Sequence, residues 1–308
     1  MLFRSLVKPV KQAPLFDCLR TVLSVDLKTG GIQAGLIALD KPAPVAMAFA
    51  GLKLDILLAE DNAVNQKVAT CQLQKLGFQP DVVENGRKAL AALARKKYDV
   101  VFMDCQMPEV DGYAATQELR KIEGIARHTW VVAMTANSLE GDREKCLAAG
   151  MDDYLSKPVK PADLIGALNR FAGASPATPA AQAPATRPAQ GVVDPGMLAG
   201  FREMDGQGGE NLLDSLIATF LENTPLVLAE AHAAIASKAA AELERAAHTL
   251  KGSCSNFGAA AMGTACQRLE RAAHAGSLER AAEMLAAIER EFALVRDALE
   301  RERSLCTA

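Results

Sequence analysis

Between residues 52 and 171 the apolar positions follow two alternating rhythms. Short apolar runs of strand length are separated by longer stretches in which apolar residues recur every three or four positions. "LKLDILLAED" reads as a buried strand ending in acids, and "NAVNQKVATCQLQKLG" as a helix closed by Gly77. "FQPDVVE", "YDVVFMD", "TWVVAMTAN" and "MDDYLSKP" read as further strands. "GRKALAALARKK", "YAATQELRKI", "LEGDREKCLAAG" and "PADLIGALNRF" read as helices between and after them. Five strands alternating with five helices predict an α/β fold, a doubly wound five-stranded parallel sheet of the flavodoxin-like kind. The rhythm stops at "AGASPATPAAQAPATRPAQG", which lacks large apolar residues and predicts a linker over 172–192. From 193 to 302 only the helical period remains, in Ala-, Leu- and Glu-rich stretches, and predicts an all-α bundle.

In a parallel sheet with right-handed crossovers, the carboxyl ends of the strands meet at one edge. Polar residues stand at those ends. Glu60 and Asp61 close the first strand, Asp104 the third and Thr135 the fourth; Lys157 follows the fifth. Three carboxylates brought together repel one another unless a cation joins them. Hard oxygen ligands suit Mg²⁺ rather than zinc. With Lys157 as a second positive charge and Thr135 as a hydroxyl donor, the set suits phosphoryl transfer to a carboxylate. A phosphatase of the haloacid-dehalogenase type also uses a strand-end Asp, but it needs a second Asp two residues on, where this chain has Gln106.

"AEDN" (59–62), "MDCQMPEVDG" (103–112), "MTAN" (134–137) and "YLSKPVK" (154–160) resemble the receiver domains of two-component signalling, and the likeness covers 52–171. The resemblance implies Asp104 as the phosphoacceptor and Asp61 as a direct Mg²⁺ ligand. It implies Glu60 as a ligand through water and the Gln106 backbone carbonyl as a third ligand. Thr135 and Lys157 would contact the phosphoryl group, and Tyr154 matches the aromatic that moves inward with Thr135. Asp111-Gly112 reads as turn chemistry.

The bundle offers its own candidate. In "LERAAHTLKGSCSNFGA", Lys251 and Gly252 follow His248 by three and four residues and share its helical face. A mid-helix Gly costs about 1 kcal/mol relative to Ala, so it needs a reason. A bulky side chain there would keep a partner from the imidazole, and Lys251 could neutralise a phosphoryl group. "SNFGAA" (255–260) predicts a break before another helix. If the two helices pack antiparallel about Gly258-Ala259, His248 and Glu270 are equidistant from the turn. Glu270 is then the candidate to accept the Nδ1–H bond and leave Nε2 as nucleophile. The pattern resembles the histidine phosphotransfer (HPt) domain, most specifically over 243–270.

Near the N-terminus, "LVKPVKQAPLFDCLRTVL" (6–23) aligns with "LSKPVKPADLIGALNRF" (155–171), Lys8-Pro9 falling on Lys157-Pro158. This predicts that 1–23 is the last strand and helix of another receiver-like domain, lacking the switch aromatic, with a linker over 24–51. The order resembles the C-terminal part of a hybrid sensor histidine kinase. That family implies an upstream histidine kinase domain and a downstream response-regulator receiver as partners, a cytoplasmic location and a bacterial source. The chain has no Gly-rich ATP lid and no dimerisation-helix His, so no ATP-dependent step is assigned to it. A second reading has the receiver gate an upstream kinase by docking while His248 serves another receiver.

Composition changes little of this. The formal net charge of -3 and the absence of helix-turn-helix or zinc-finger signatures argue against nucleic acid. Seven cysteines, scattered singly, suggest reduced thiols rather than a disulfide framework. "PVAMAFAGL" and "DILLA" are too short to span a membrane, so no membrane segment is expected.

Overall fold

The structure, a computed structural model, describes residues 52–124, 127–136, 140–173, 191–204 and 211–306. The remnant expected over 1–23, the linker over 24–51 and most of the linker over 172–192 lie outside the described residues.

The first half alternates strand and helix throughout: β1 (Ile56–Ala59), α1 (Ala63–Lys75), β2 (Asp81–Val83), α2 (Gly86–Arg95), β3 (Val100–Asp104), α3 (Gly112–Glu123), β4 (Trp130–Thr135), α4 (Glu140–Ala148), β5 (Asp153–Ser156) and α5 (Pro161–Phe171). The strands form one five-stranded sheet in the order β2-β1-β3-β4-β5, every pair parallel. Because successive strand residues point to opposite faces, each face has its own core. Ile56, Leu58, Phe102, Val132 and Met134 pack under α1 and α5 through Leu73, Leu164 and Leu168. Leu57, Val101, Met103, Val131 and Ala133 pack on the other face against Ala89, Leu93, Ala115, Leu119 and Cys146. Pairing of Asp104 with Met134 and of Thr135 with Ser156 brings those strand ends level at one edge.

Local capping explains where the helices around that edge begin. Asn62 caps α1, its Oδ1 accepting from Val64 N at 2.9 Å and Asn65 N at 3.2 Å. Asp111 caps α3 through Ala114 N at 2.7 Å. Gly112 is required by close approach: a Cβ there would lie 2.1 Å from the Asp104 carbonyl oxygen. The Asp-Gly pair is therefore more than a turn, since it lets α3 start against the backbone of Asp104.

The second half has helices only among the described residues: α6 (Pro195–Met204), α7 (Leu212–Ser237), α8 (Ala240–Asn256), α9 (Ala260–His274) and α10 (Ala281–Cys306). Leu216, Phe220, Leu250, Phe257, Leu269, Leu285, Phe292 and Leu299 fill the bundle. The break expected at 255–260 falls at Gly258, whose φ is +62° and whose added Cβ would lie 2.4 Å from the Asp194 Cβ. By length and composition α7 could cross a membrane, a stretch the sequence reading passed over. Its Leu213, Leu216, Ile217, Phe220, Leu228, Ala231 and Ala234 are buried, which accounts for its hydropathy as a bundle core helix.

The two halves share apolar surface. Val64 and Val68 on α1 belong to the bundle's core rather than to that of the sheet. Helix α1 is thus apolar on two sides, its Ala69 and Leu73 facing the sheet.

Candidate functional site

At the strand edge, Glu60 and Asp104 are buried and Asp61 is partly buried. One carboxylate oxygen from each lies within 4.8 Å of the others. The Lys157 ammonium sits between two of them, 2.7 Å from Glu60 Oε2 and 2.6 Å from Asp104 Oδ2. Asp104 Oδ2 is buried, with the Lys157 ammonium as its close charged neighbour at 2.6 Å. Asp104 Oδ1 accepts the Gln106 N–H at 3.2 Å. Asn65 Nδ2 donates to Glu60 Oε1 at 2.7 Å.

Crowding shows in the acidities. Burial, then the charge of Glu60, raises Asp61 from 3.8 to about 7 against the pull of Lys157. The same two causes lift Asp104 well above the ordinary carboxylate range. Burial alone would lower Lys157, but Asp104 and Glu60 outweigh it and hold the ammonium firmly protonated. Since the folded chain binds the Asp61 proton more tightly than the unfolded one, stability falls as pH rises from about 4 to about 7. Asp61→Asn should therefore stabilise the metal-free chain by roughly 1–3 kcal/mol at pH 8, several degrees in Tm, and by little at pH 5. Calorimetry at the two pH values checks this; equal shifts at both would contradict it.

Thr135 is buried and lines, with Asp104, Gln106, Lys145, Lys251 and Arg271, an opening of about 410 Å³ on one side of the cluster. Tyr154 is half-buried on β5, and the Arg143 guanidinium lies 6.0 Å from its ring centroid.

On the bundle side, His248 Nδ1 lies 2.6 Å from Glu270 Oε1 across the α8–α9 seam. With the carboxylate ionised, that contact requires Nδ1–H and leaves the lone pair of a neutral imidazole on Nε2. Lys251 Nζ also binds Glu270, at 2.9 Å to Oε1 and 2.6 Å to Oε2. Burial would raise Glu270, but the bonds from His248 and Lys251 outweigh it and keep its pKa below the usual value. The ammonium expected to face a phosphoryl group is held on a carboxylate here. The nearest atom to a Cβ added at Gly252 is Asn65 Nδ2, at 3.4 Å, followed by Asn62 Nδ2 at 3.8 Å. The surface that closes on this glycine is thus the first turn of α1.

Asp104, Lys157, Glu60, Asp61, His248, Lys251 and Gly252 line one cavity of about 120 Å³. Asp104 and His248, 144 residues apart in sequence, therefore open into the same space. Polar contacts the sequence reading missed fasten its rim. Asn62 Nδ2 donates to Thr249 O at 2.9 Å and to Ser253 Oγ at 2.7 Å, and Asn256 Nδ2 donates to Asn65 Oδ1 at 2.7 Å. Lys67 Nζ reaches Ser215 Oγ at 2.8 Å.

Residues 56–169 match the response regulator receiver domain, and residues 215–303 match the Hpt domain. The chain joins a receiver domain to an Hpt domain. Amoebal and plant proteins among its relatives are named as histidine kinases. Hybrid signal transduction histidine kinase B of Dictyostelium discoideum is 39% identical over 137 residues, covering 41% of this chain and 7% of the relative. Probable histidine kinase 6 of Oryza sativa subsp. japonica is 31% identical over 182 residues, covering 53% of this chain and 18% of the relative. The chain thus spans less than a fifth of the length of these relatives. Both of these curated relatives are eukaryotic and lend no support to the expected bacterial source. Among solved structures, the receiver domain of a Pseudomonas aeruginosa sensor histidine kinase is 46% identical, with 39% of this chain and 98% of that one covered and a TM-score of 0.37. It was crystallised with magnesium coordinated in its active-site cleft. A Saccharomyces cerevisiae complex of a histidine phosphotransfer protein with the receiver of its downstream response regulator is 30% identical, with 39% and 88% covered and a TM-score of 0.36. Receiver and Hpt domains together place the chain in phosphorelay signalling.

Proposed function

We propose that the receiver carries a phosphoryl group on Asp104 and exchanges it with His248 of the Hpt domain within the same chain. The observation that carries this reading is the single cavity lined by both residues. Nε2 of His248 attacks phosphorus; the P–O bond to Asp104 breaks as the P–N bond forms, and Asp104 leaves as a carboxylate. Nδ1–H stays on the ring, hydrogen-bonded to Glu270, which balances the positive phosphoimidazole. The reverse step runs through the same contacts. Lys157 holds a phosphoryl oxygen and the leaving carboxylate. Thr135 supplies a hydroxyl from the other side of Asp104, and Tyr154 is the residue that would follow it inward. Lys251 fixes the orientation of Glu270 before it neutralises any phosphoryl charge.

The acidic cluster fits Mg²⁺: its donors are all hard carboxylate oxygens, gathered within 4.8 Å of one another. Asp61, Glu60 (through water), Asp104 and the Gln106 carbonyl would hold it. Bound there, the ion supplies charge that stabilises the equatorial phosphoryl oxygens.

We read the whole protein as a hybrid histidine kinase, with an upstream kinase domain as donor and a downstream response-regulator receiver as acceptor, because the relatives are histidine kinases. The alternative, a receiver that only gates a kinase by docking, gives no reason for His248 and Asp104 to share a cavity.

Gly252→Gln tests the approach surface. Gln is a better helix former than Gly, so α8 should hold. Its side chain would meet the α1 asparagines and should slow exchange between Asp104 and His248 by more than about tenfold, the equivalent of ~1.4 kcal/mol. Rapid-quench labelling measures it; an unchanged rate would mean that the receiver does not approach this face.

A further inference from the structure

Two asparagines in the first turn of α1 each point one end of the amide at the receiver and the other at the Hpt domain. Asn62 spends Oδ1 on capping α1, through Val64 N and Asn65 N, so its Nδ2 must face outward. There it meets two acceptors on α8, Thr249 O and Ser253 Oγ. Asn65 spends Nδ2 on Glu60 Oε1, so its Oδ1 must face outward. There it meets a donor, Asn256 Nδ2. The receiver's own structure therefore fixes the polarity of each contact. Neither amide can flip without abandoning a helix cap or a carboxylate. Asn62, Ser253 and Asn256 are all buried. A mismatch at either contact strands a buried polar group, and that penalty is what discriminates between partners. The apolar contacts of Val64 and Val68 have no such polarity; they favour any greasy surface of the right shape.

We propose that Asn62 and Asn65 are the specificity-determining residues with which this receiver selects an Hpt surface, as a fixed donor and a fixed acceptor. The surface selected carries a side-chain acceptor at 253 and a side-chain donor at 256, on the same helix as His248; the acceptor at 249 is a backbone carbonyl that any residue there supplies. This deepens the phosphorelay reading and rests on it for its biological purpose, but the docking contact can be measured separately.

The test uses the full chain with phosphoramidate as the phosphodonor and Mg²⁺ present. Asn256→Ala and Asn256→Asp both lose the weaker bond from Asn256 Nδ2 to Gly252 O, so any structural effect on α8 is common to them. They differ at the interface. Ala leaves Asn65 Oδ1 unpartnered, whereas Asp sets acceptor against acceptor. Labelling of Asp104 should match wild type in both. Transfer to His248 should slow about fivefold in Asn256→Ala and at least about thirtyfold in Asn256→Asp. Amide hydrogen exchange of residues 64–69, on the docked face of α1, should rise in the same order without any phosphodonor. Equal slowing in the two variants, or unchanged exchange at 64–69 in both, would overturn the proposal. A wild-type chain that labels Asp104 but never His248 would sink the relay reading; the graded exchange at 64–69 would then still support the docking code.

Discussion

Asp104→Asn is expected to abolish acyl-phosphate formation, lowering labelling of the receiver by at least ~10³-fold to background. An amide is isosteric with the carboxylate but cannot attack phosphorus. The fold should survive the change. The Lys157 ammonium keeps Glu60 as an ion-pair partner at 2.7 Å, and the group replaced is a buried carboxyl whose charged form the crowding already disfavours. Labelling with phosphoramidate and Mg²⁺, followed by alkaline treatment, measures it. Base-labile label retained on the variant at more than a few per cent of wild type would place the acceptor elsewhere, with Glu60 and Asp61 as the next carboxylates to examine.

His248→Gln should eliminate acid-labile phosphate from the chain while leaving Asp104 fully labelled. No other described histidine combines a half-hidden imidazole with this cavity. His128 lies against Asp152, and His232 against Glu289, both on exposed surface. His274 pairs with Glu244 one turn along the same seam, but it is 78% exposed and lines the wider opening rather than the shared cavity. The loss of one bond to Glu270 is tolerable because Lys251 still holds that carboxylate at 2.6 Å. Phosphoryl label that is stable to base and labile to acid, persisting in His248→Gln, would move the role to His274.

The strand edge was legible because its evidence is periodic. Apolar runs of strand length separated one by one by helices point to parallel strands, and a parallel sheet then brings Glu60, Asp104, Thr135 and Lys157 to one edge. The juxtaposition of His248 and Glu270 was legible for a similar reason. A glycine-marked break between two helices of known phase determines which residues face each other. What escaped was everything that depends on the docking of one half against the other. Val64 and Val68 look like ordinary core positions of α1, and only the presence of a second apolar side, Ala69 and Leu73, hints that the helix has two neighbours. In the sequence Asn62 is only part of a motif; that it caps α1 with Oδ1 and turns its amide nitrogen to α8 has no sequence signature. Lys251 was placed on the face of His248, but spacing along α8 cannot show that Glu270 on α9 lies within reach of both His248 and Lys251. The apolar length of α7 was underestimated because its charged residues interrupt the run without breaking its buried stripe.

If Asp104 and His248 exchange a phosphoryl group within one chain, a rapid-quench time course at varied protein concentration will resolve it. The wild-type chain is labelled with phosphoramidate and Mg²⁺, and each time point is split between acid and alkaline treatment. Base-labile phosphate should appear first and decay as acid-labile phosphate rises, at a rate independent of chain concentration. Acid-labile phosphate that never forms, or that forms at a rate proportional to chain concentration, would contradict exchange within one chain.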